Sequence, residues 1–258
     1  MEMRAQANQM KTTVAGFLEK YFYFLMSLFI AVVVVYGFSQ TVGKKLIHAA
    51  PPRLFVLYVH GAVFFGWVVF FGLQSALVRT RRIQWHRLVG WFGAGLGVAM
   101  FFIGVATAIT MARFNRISLH SKYPEANLLV SFFDISAFTI PFALAIYWRR
   151  KPEFHRRLQF LACCALTAAA FGRLLPTLLS PATNHSVTAR AFHGWVTLYA
   201  GVDVLILIAV ARDQILTRRI HPVYLYGLPA FIGCQTLVLY TVVHHSAWWM
   251  KAAKAILG

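Results

Sequence analysis

Seven long apolar stretches, separated by short polar links, run along the 258 residues of the chain. A helix needs about 20 apolar residues to cross the hydrocarbon core of a bilayer. The stretches cover residues 21–40, 54–78, 88–111, 128–147, 158–179, 192–211 and 223–243. The apolar–polar alternation of a membrane β-barrel is absent, so helices are the spanning structure that remains. The sequence therefore predicts an all-α integral membrane protein, a bundle of seven transmembrane helices.

The composition supports this fold class. Hydrophobic residues make up 59% of the chain, charged residues 12%, and the mean hydropathy is +0.64. A single water-soluble core could not hide so much apolar surface. Residues 1–20 carry mixed charges without a signal-peptide cleavage pattern, so we interpret them as a cytoplasmic segment before a retained helix. Residues 21–248 are the predicted membrane domain, and residues 249–258 a short external tail.

The basic residues lie mainly at the predicted helix ends, so the net charge of +18 does not indicate a nucleic-acid partner. Fifteen of the 25 Lys and Arg residues fall on the side of the N-terminus and nine on the other, with Arg173 inside a stretch. The positive-inside rule then predicts a cytoplasmic N-terminus and an external C-terminus, in a bacterial inner membrane. Anionic lipid headgroups are expected partners of the arginine pairs. These are Arg81, Arg82, Arg149, Arg150, Arg218 and Arg219.

Three links repeat one signature, an arginine pair followed by a histidine that opens the next apolar stretch. The instances are Arg81-Arg82 before His86, Arg149-Arg150 before His155, and Arg218-Arg219 before His221. His60-Gly61 and His193-Gly194 open the stretches before the first and third links. The pattern predicts one helix followed by three related hairpins. The alternative is that arginine-rich links resemble each other by chance.

Ionisable side chains inside spanning helices are costly and mark a function or a buried pair. Asp134 and Arg173 lie at similar depths, about 10 Å below the external ends of adjacent antiparallel helices. His155 and Arg173 are 18 residues apart, five full turns, which places Arg173 on the inward face. We therefore expect a structural Asp134–Arg173 ion pair. Asp203 has no evident partner, and we interpret it as a protonated carboxyl with a structural role; the alternatives are a hydrogen bond to a Thr or Tyr, or proton carriage.

Histidine is the strongest chemical signal, with ten residues against only seven acidic ones. We expect His60 on the second helix to face His193 on the sixth near the external side. His86 on the third helix would face His155 on the fifth near the cytoplasmic side. Each pair could hold a b-type haem by two axial imidazoles. Two such haems would carry electrons across the membrane to a redox partner.

The alternative chemistry is a zinc-dependent membrane enzyme with one site near the external face. Its ligands would be His60, Asp134 and His193 with His244 or His245. HxxxH and HExxH spacings are absent, and Arg173 competes for Asp134. A third alternative is a non-catalytic transport or assembly accessory protein.

The transport alternative would show interrupted helices around a site at mid-membrane. Only Asp203 and Pro141 point to such an arrangement. A retinal protein is excluded because no lysine lies within a predicted span. Whether the chain is an enzyme is left open.

Several motifs are specific enough to compare with known families. They are His60-Gly61, Trp67, Gln74, Arg81-Arg82, His86-Arg87-Leu88-Val89-Gly90, His155-Arg156-Arg157-Leu158 and Arg219-Ile220-His221-Pro222. Together they resemble a family of uncharacterised bacterial polytopic membrane proteins, over most of the chain after residue 55, and this resemblance implies no assigned activity. A looser resemblance, at His60, His86, His155 and His193 only, is to transmembrane cytochromes b. It implies haem b, although the flanking arginines and the seventh helix depart from that pattern.

Overall fold

A computed structural model of the chain describes residues 2–121, 123–178 and 187–258, and these are almost entirely helical. The helices are α1 (Glu2–Val42), α2 (Phe55–Arg79), α3 (Ile83–Ile117), α4 (Pro124–Tyr147), α5 (Pro152–Leu166), α6 (Ala168–Leu178), α7 (Val187–Leu198), α8 (Ala200–Thr217), α9 (Pro222–Val243) and α10 (Ala247–Leu257). A π-helical turn, Gly43–Ile47, continues α1. The predicted all-α class is confirmed.

Five helices of the described residues are long and apolar enough to cross a membrane: α1, α2, α3, α4 and α9. Two bent pairs pass the same test together. The axis turns by 41° between α5 and α6 and by 58° between α7 and α8. With each pair taken as one broken span, the described residues contain seven spans.

The outer surface of the bundle is apolar. Val32, Trp91 and Phe102 are 63%, 65% and 65% exposed. Contiguous apolar surface of this kind is not stable against water and is normally covered by lipid or protein. The helices are therefore those of an integral membrane protein.

Helix α5 occupies the centre of the bundle. It packs most extensively on α4 and also contacts α1, α6, α8 and α9. From Arg157 to Ala165 every residue except Gln159 is buried. Small side chains such as Ala162 and Cys163 let neighbouring backbones approach closely, as is usual between membrane helices. The α5–α6 break consequently lies in the core.

The two helix breaks pack against each other. Thr167, between α5 and α6, donates its hydroxyl proton to the Cys164 carbonyl at 2.6 Å, a back-bond that bends helices. The chain between α7 and α8 turns at Tyr199. A Cβ on Gly201 would lie 2.5 Å from the Phe171 ring. Glycine is therefore needed for α8 to approach α6 beside both breaks.

The structure differs from the predicted bounds of two segments, the sixth span and the C-terminal tail. The sixth predicted span, 192–211, is split at Tyr199 and its second half continues to Thr217. Residues 249–258, predicted as a tail, belong mostly to α10, where Trp249, Ala253 and Leu257 are buried at helical spacing. The indole N–H of Trp249 donates to the Glu125 carbonyl on α4 at 2.9 Å. The predicted end of the fifth span, residue 179, lies outside the described residues.

Candidate functional site: two carboxyls at the helix breaks

Asp203 lies in the first turn of α8, directly after the α7–α8 break, and is 3% exposed. Gln235 on α9 donates from Nε2 to Asp203 Oδ1 at 2.9 Å, and Trp195 on α7 donates from Nε1 to Oδ2 at 3.2 Å. The Trp195 N–H also lies 3.3 Å from Gln235 Oε1. Each carboxyl oxygen thus accepts from a neutral donor. No salt bridge to Asp203 occurs within the part of the chain that the structure describes.

Asp134 approaches the same region from α4. Its carboxyl faces the hydroxyl of Tyr199, the residue at the α7–α8 break. The two groups lie close enough to interact electrostatically, and the hydroxyl forms no hydrogen bond of good geometry with any described residue. The Tyr199 ring is 1% exposed and packs edge-on against Phe133, with centroids 5.5 Å apart. Tyr199 is therefore held in place while its polar end remains available.

A small gap separates the two carboxyl environments. It is too narrow to admit a water molecule, and its polar lining comes from Asp134, Tyr199 and Gln235. Ala165 and Ala168, on either side of the α5–α6 break, form part of the apolar wall. Gln235 lines the gap and also holds Asp203. Pockets for drug-sized ligands enclose roughly 300–1,000 Å³, so no such ligand fits this gap.

We expect the Gln235→Leu substitution to destabilise the protein measurably. Asp203 would keep only one of its two donors. Interhelical hydrogen bonds in bilayers contribute roughly 0.6 kcal/mol on average and up to about 1.7, and a bond to a carboxylate is at the strong end, so the expected loss is about 1–2 kcal/mol. Unfolding of the purified protein in mixed micelles measures it. Thr236→Val is the control, because Thr236 is exposed and bonds only to Ile232 of its own helix; equal effects would contradict the assignment.

The predicted Asp134–Arg173 ion pair is not among the salt bridges of the described residues. Arg173 instead turns to α1, where its Nε donates to Thr41 Oγ1 at 3.1 Å and its guanidinium lies 4.2 Å from the centre of the Phe38 ring. The physical reason is the α5–α6 break. A bend at Thr167 ends the periodicity that was expected to carry the inward face from His155 to Arg173.

The structure brings the rings of His86 and His155 close together. Both lie at the end of the bundle formed by the links at residues 80–82, 148–151 and 218–221, which we name the arginine-rich end. Their ring centroids are 6.2 Å apart, with the planes at 77°. The Nδ1 atom of His155 bonds to the Ala145 carbonyl at 2.9 Å, whereas Nδ1 of His86 is buried without a partner in the described residues.

His221, the third signature histidine, is a helix cap. Its Nδ1 accepts a hydrogen bond from the Val223 amide at 3.3 Å at the start of α9. The ring packs against Phe154, with centroids 4.7 Å apart. Burial, followed by the charge of Arg157, lowers the pKa of His221 below its ordinary value. A neutral imidazole is the form that accepts this bond.

His60 and His193 lie on helices that are not packed neighbours among the described elements. Helix α2 packs against α1 and α3, and α7 packs against α6, α8 and α9. His60 stacks on Phe64 of its own helix at 4.0 Å, and Nε2 of His193 is buried without a partner in the described residues. No contact between the two rings was found in that part of the chain, so their shared site stays a prediction.

The zinc site expected from His60, Asp134, His193, His244 and His245 does not assemble: no group of three His, Cys, Asp or Glu side chains in the described residues could hold a metal ion. His244 bonds through Nδ1 to the Tyr240 carbonyl and stacks on that ring. His245 stacks on Tyr123. Asp134 faces Tyr199. The candidate ligands therefore make separate local contacts.

Sequence reasoning missed a buried charge network at the arginine-rich end. Arg157 on α5 binds Asp213 on α8 through two bonds, Nε to Oδ2 at 2.9 Å and a terminal nitrogen to Oδ1 at 2.8 Å. Arg212 also reaches Asp213, at 3.1 Å, and Glu153 reaches Arg157 at 2.5 Å. The Arg157 and Asp213 side chains are 4% and 1% exposed. The network joins α5 to α8 and neutralises two arginines inside the bundle.

The chain matches no protein-family model, and no curated protein or solved structure is significantly similar to it.

Proposed function

We propose that this integral membrane protein binds and moves protons through Asp134 and Asp203. The observation that carries the proposal is the meeting of two bent helix pairs at two carboxyls that lack a cationic partner among the described residues. Membrane-embedded carboxyls of this kind mark ion and proton pathways. Interrupted helices around a central site are typical of transporters. The transport alternative is thereby favoured over a purely structural role.

The size and chemistry of the gap favour a proton over a larger substrate. The gap has no room even for a water molecule, whereas small-molecule pockets enclose roughly 300 Å³ or more. Hard metal cations take about six or more oxygen ligands, whereas the lining offers one carboxyl, one phenol and one amide. A proton needs only an acceptor and a nearby relay group. Asp134 is the acceptor, and the Tyr199 hydroxyl is the relay toward Gln235 and Asp203.

Proton flux into vesicles tests this function directly. The full chain is reconstituted into liposomes that contain a pH-sensitive dye, and an acid pulse is applied outside. We expect dye acidification faster than in protein-free vesicles, and its loss in Asp134→Asn and Asp203→Asn, because an amide cannot take up and release the proton. Ser136→Ala on α4 is the matched control, since Ser136 is exposed and bonds only within its helix. It should keep the flux.

Infrared difference spectroscopy adds a readout that does not depend on transport. Asp134 should contribute a carboxylic-acid C=O band that disappears in Asp134→Asn and shifts in Tyr199→Phe. Flux that survives in both aspartate variants, or a wild-type protein without flux, would refute the proposal.

Electron transfer is the second candidate function. The 6.2 Å separation of the His86 and His155 rings favours it, since two imidazoles on different helices are a common haem ligand set. A Soret band in the purified protein that disappears in His86→Ala would establish it. The absence of that band would argue against haem binding at this histidine pair.

A further inference from the structure

Arg173 carries a positive charge within the bent span α5–α6 and has no acidic partner among the described residues. Its Nε donates to Thr41 Oγ1 at 3.1 Å, and one terminal nitrogen donates to the Ala169 carbonyl. Its guanidinium also lies over the Phe38 ring. All three partners are neutral. An uncompensated cation inside a membrane bundle is costly, and such groups normally have a negative partner.

The acidic residues of the chain do not supply this partner. There are seven of them: Glu2, Glu19, Glu125, Asp134, Glu153, Asp203 and Asp213. Four belong to the buried charge network or to the two carboxyl environments described above. On α1, Thr41 lies 22 residues after Glu19, roughly 33 Å along the helix, and Glu2 is farther away. Glu125 forms no salt bridge in the described residues, and residues 179–186 contain no acid. The counter-charge of Arg173 therefore comes from outside the chain.

A second polar group without a partner lies near this guanidinium. Nδ1 of His60 on α2 is buried and has no hydrogen-bond partner in the described residues. The two side chains are close enough for the charge of Arg173 to act on the His60 ring. His60 shares a helix face with Trp67, seven residues later, and Trp67 is 3% exposed and packs edge-on against Phe138 of α4. His60 is therefore on the inward face of α2.

Three helices bring these groups to the same depth in the bundle. Arg173 lies five residues before the end of α6, and His60 lies five residues after the start of α2. Both are thus roughly 8 Å inside the end of the bundle that is opposite the arginine-rich end. Thr41 lies on the same face of α1 as the buried residues Gly37 and Val34. The groups therefore meet inside the bundle, between α1, α2 and α6.

We propose that Arg173 and His60 bind a small inorganic anion such as chloride, with Thr41 holding the guanidinium in place. Arginine has five N–H donors, and its bonds to Thr41 and Ala169 use two of them. A neutral imidazole with its proton on Nδ1 adds one more donor. A single anion between the two side chains supplies a partner for both and balances one positive charge.

The position of the site favours a free ion over a lipid phosphate. Lipid headgroups reach the outer surface of a bundle, whereas His60 and Thr41 lie on inward faces. The anion site goes beyond the proposed proton movement and does not rest on it, because neither Asp134 nor Asp203 contributes to it.

Line broadening of the chloride NMR signal measures binding to the purified full chain in phosphate-free detergent solution. We expect saturable broadening with wild type and an affinity roughly tenfold or more weaker with Arg173→Gln, because hydrogen bonds from a charged donor are lost. His60→Phe should weaken binding by a smaller factor. Lys44→Gln is the matched control, since Lys44 is an exposed cation at the same end of the bundle, and it should bind chloride as wild type does.

Thermal unfolding of the wild-type protein covers the case in which the variants do not fold. Chloride replaces gluconate at constant ionic strength, so that screening of surface charges stays the same. A ligand that binds only the native state raises the unfolding temperature with its concentration. We therefore expect the unfolding temperature to rise with chloride concentration.

Three results would overturn the site. One is wild-type protein without saturable broadening or chloride-dependent stabilisation. Another is an equal loss of binding in Arg173→Gln and Lys44→Gln. The third is phospholipid that remains bound to wild type but not to folded Arg173→Gln, detected by phosphorus analysis, since a lipid phosphate would then be the counter-ion. Proton flux is not measured in these experiments, so the anion site and the proposed function can fail separately.

Discussion

The Asp213→Asn variant is expected to lose about 3–5 kcal/mol of unfolding free energy, the usual effect of breaking a buried ion pair. Asp213 is the shared counter-charge of Arg157 and Arg212, whose side chains are 4% and 2% exposed. An amide of the same size keeps the packing but leaves Arg212 without a negative partner and Arg157 with only the exposed carboxylate of Glu153. The desolvation of the buried guanidinium groups is then no longer compensated by a buried carboxylate. Unfolding of the purified variant in mixed micelles gives the value.

Glu153→Gln is the matched control for this prediction. Glu153 pairs with the same Arg157, but its side chain is 54% exposed, and exposed ion pairs contribute less than about 1 kcal/mol. Each variant therefore removes one carboxylate from Arg157: Asp213→Asn removes the buried one, and Glu153→Gln removes the exposed one. Similar losses in both would mean that water reaches Asp213, and the buried network would not be the connection between α5 and α8 that we describe.

The spans were predictable, but their interruptions were not. Span length follows from bilayer thickness, so apolar stretches alone reveal it. Only Asp203 and Pro141 hinted at interrupted helices in the sequence; α4 continues through Pro141, whereas Asp203 lies in the first turn after a break. The breaks instead fall at Thr167 and Tyr199. Neither residue type stops a helix by itself, and both positions are determined by contacts with other helices, which a single sequence does not display.

The charged groups were recognisable, but their partners depended on three-dimensional detail. Asp134 and Asp203 were identified because ionisable residues are rare within apolar stretches. Arg173 was assigned to Asp134 from an unbroken helix, and the bend at Thr167 turns it to α1 instead. Asp213 was overlooked because the predicted sixth span ended at residue 211, whereas α8 continues to Thr217 and carries Asp213 inside the bundle.

The second large effect is expected from Gly37→Ala on α1. A Cβ at this position would lie 2.6 Å from the carbonyl oxygen of Ala170 and 2.9 Å from its Cα. Backbone atoms cannot rotate away as a side chain can, so α1 and α6 must separate. Overpacking of this kind costs about 1–3 kcal/mol or more. The same interface carries Arg173 against Phe38 and Thr41, so its opening would also weaken those contacts.

Gly72→Ala distinguishes this steric effect from the general effect of removing a glycine. Gly72 lies within α2, and a Cβ there meets nothing within 4 Å. Alanine is favoured over glycine in a helix by about 0.8–1.0 kcal/mol, so Gly72→Ala should stabilise the protein or leave it unchanged. Thermal unfolding in detergent compares the two variants with wild type. Opposite signs are expected because only Gly37 lies against another backbone, and a stable Gly37→Ala protein would mean that α1 does not approach α6 so closely.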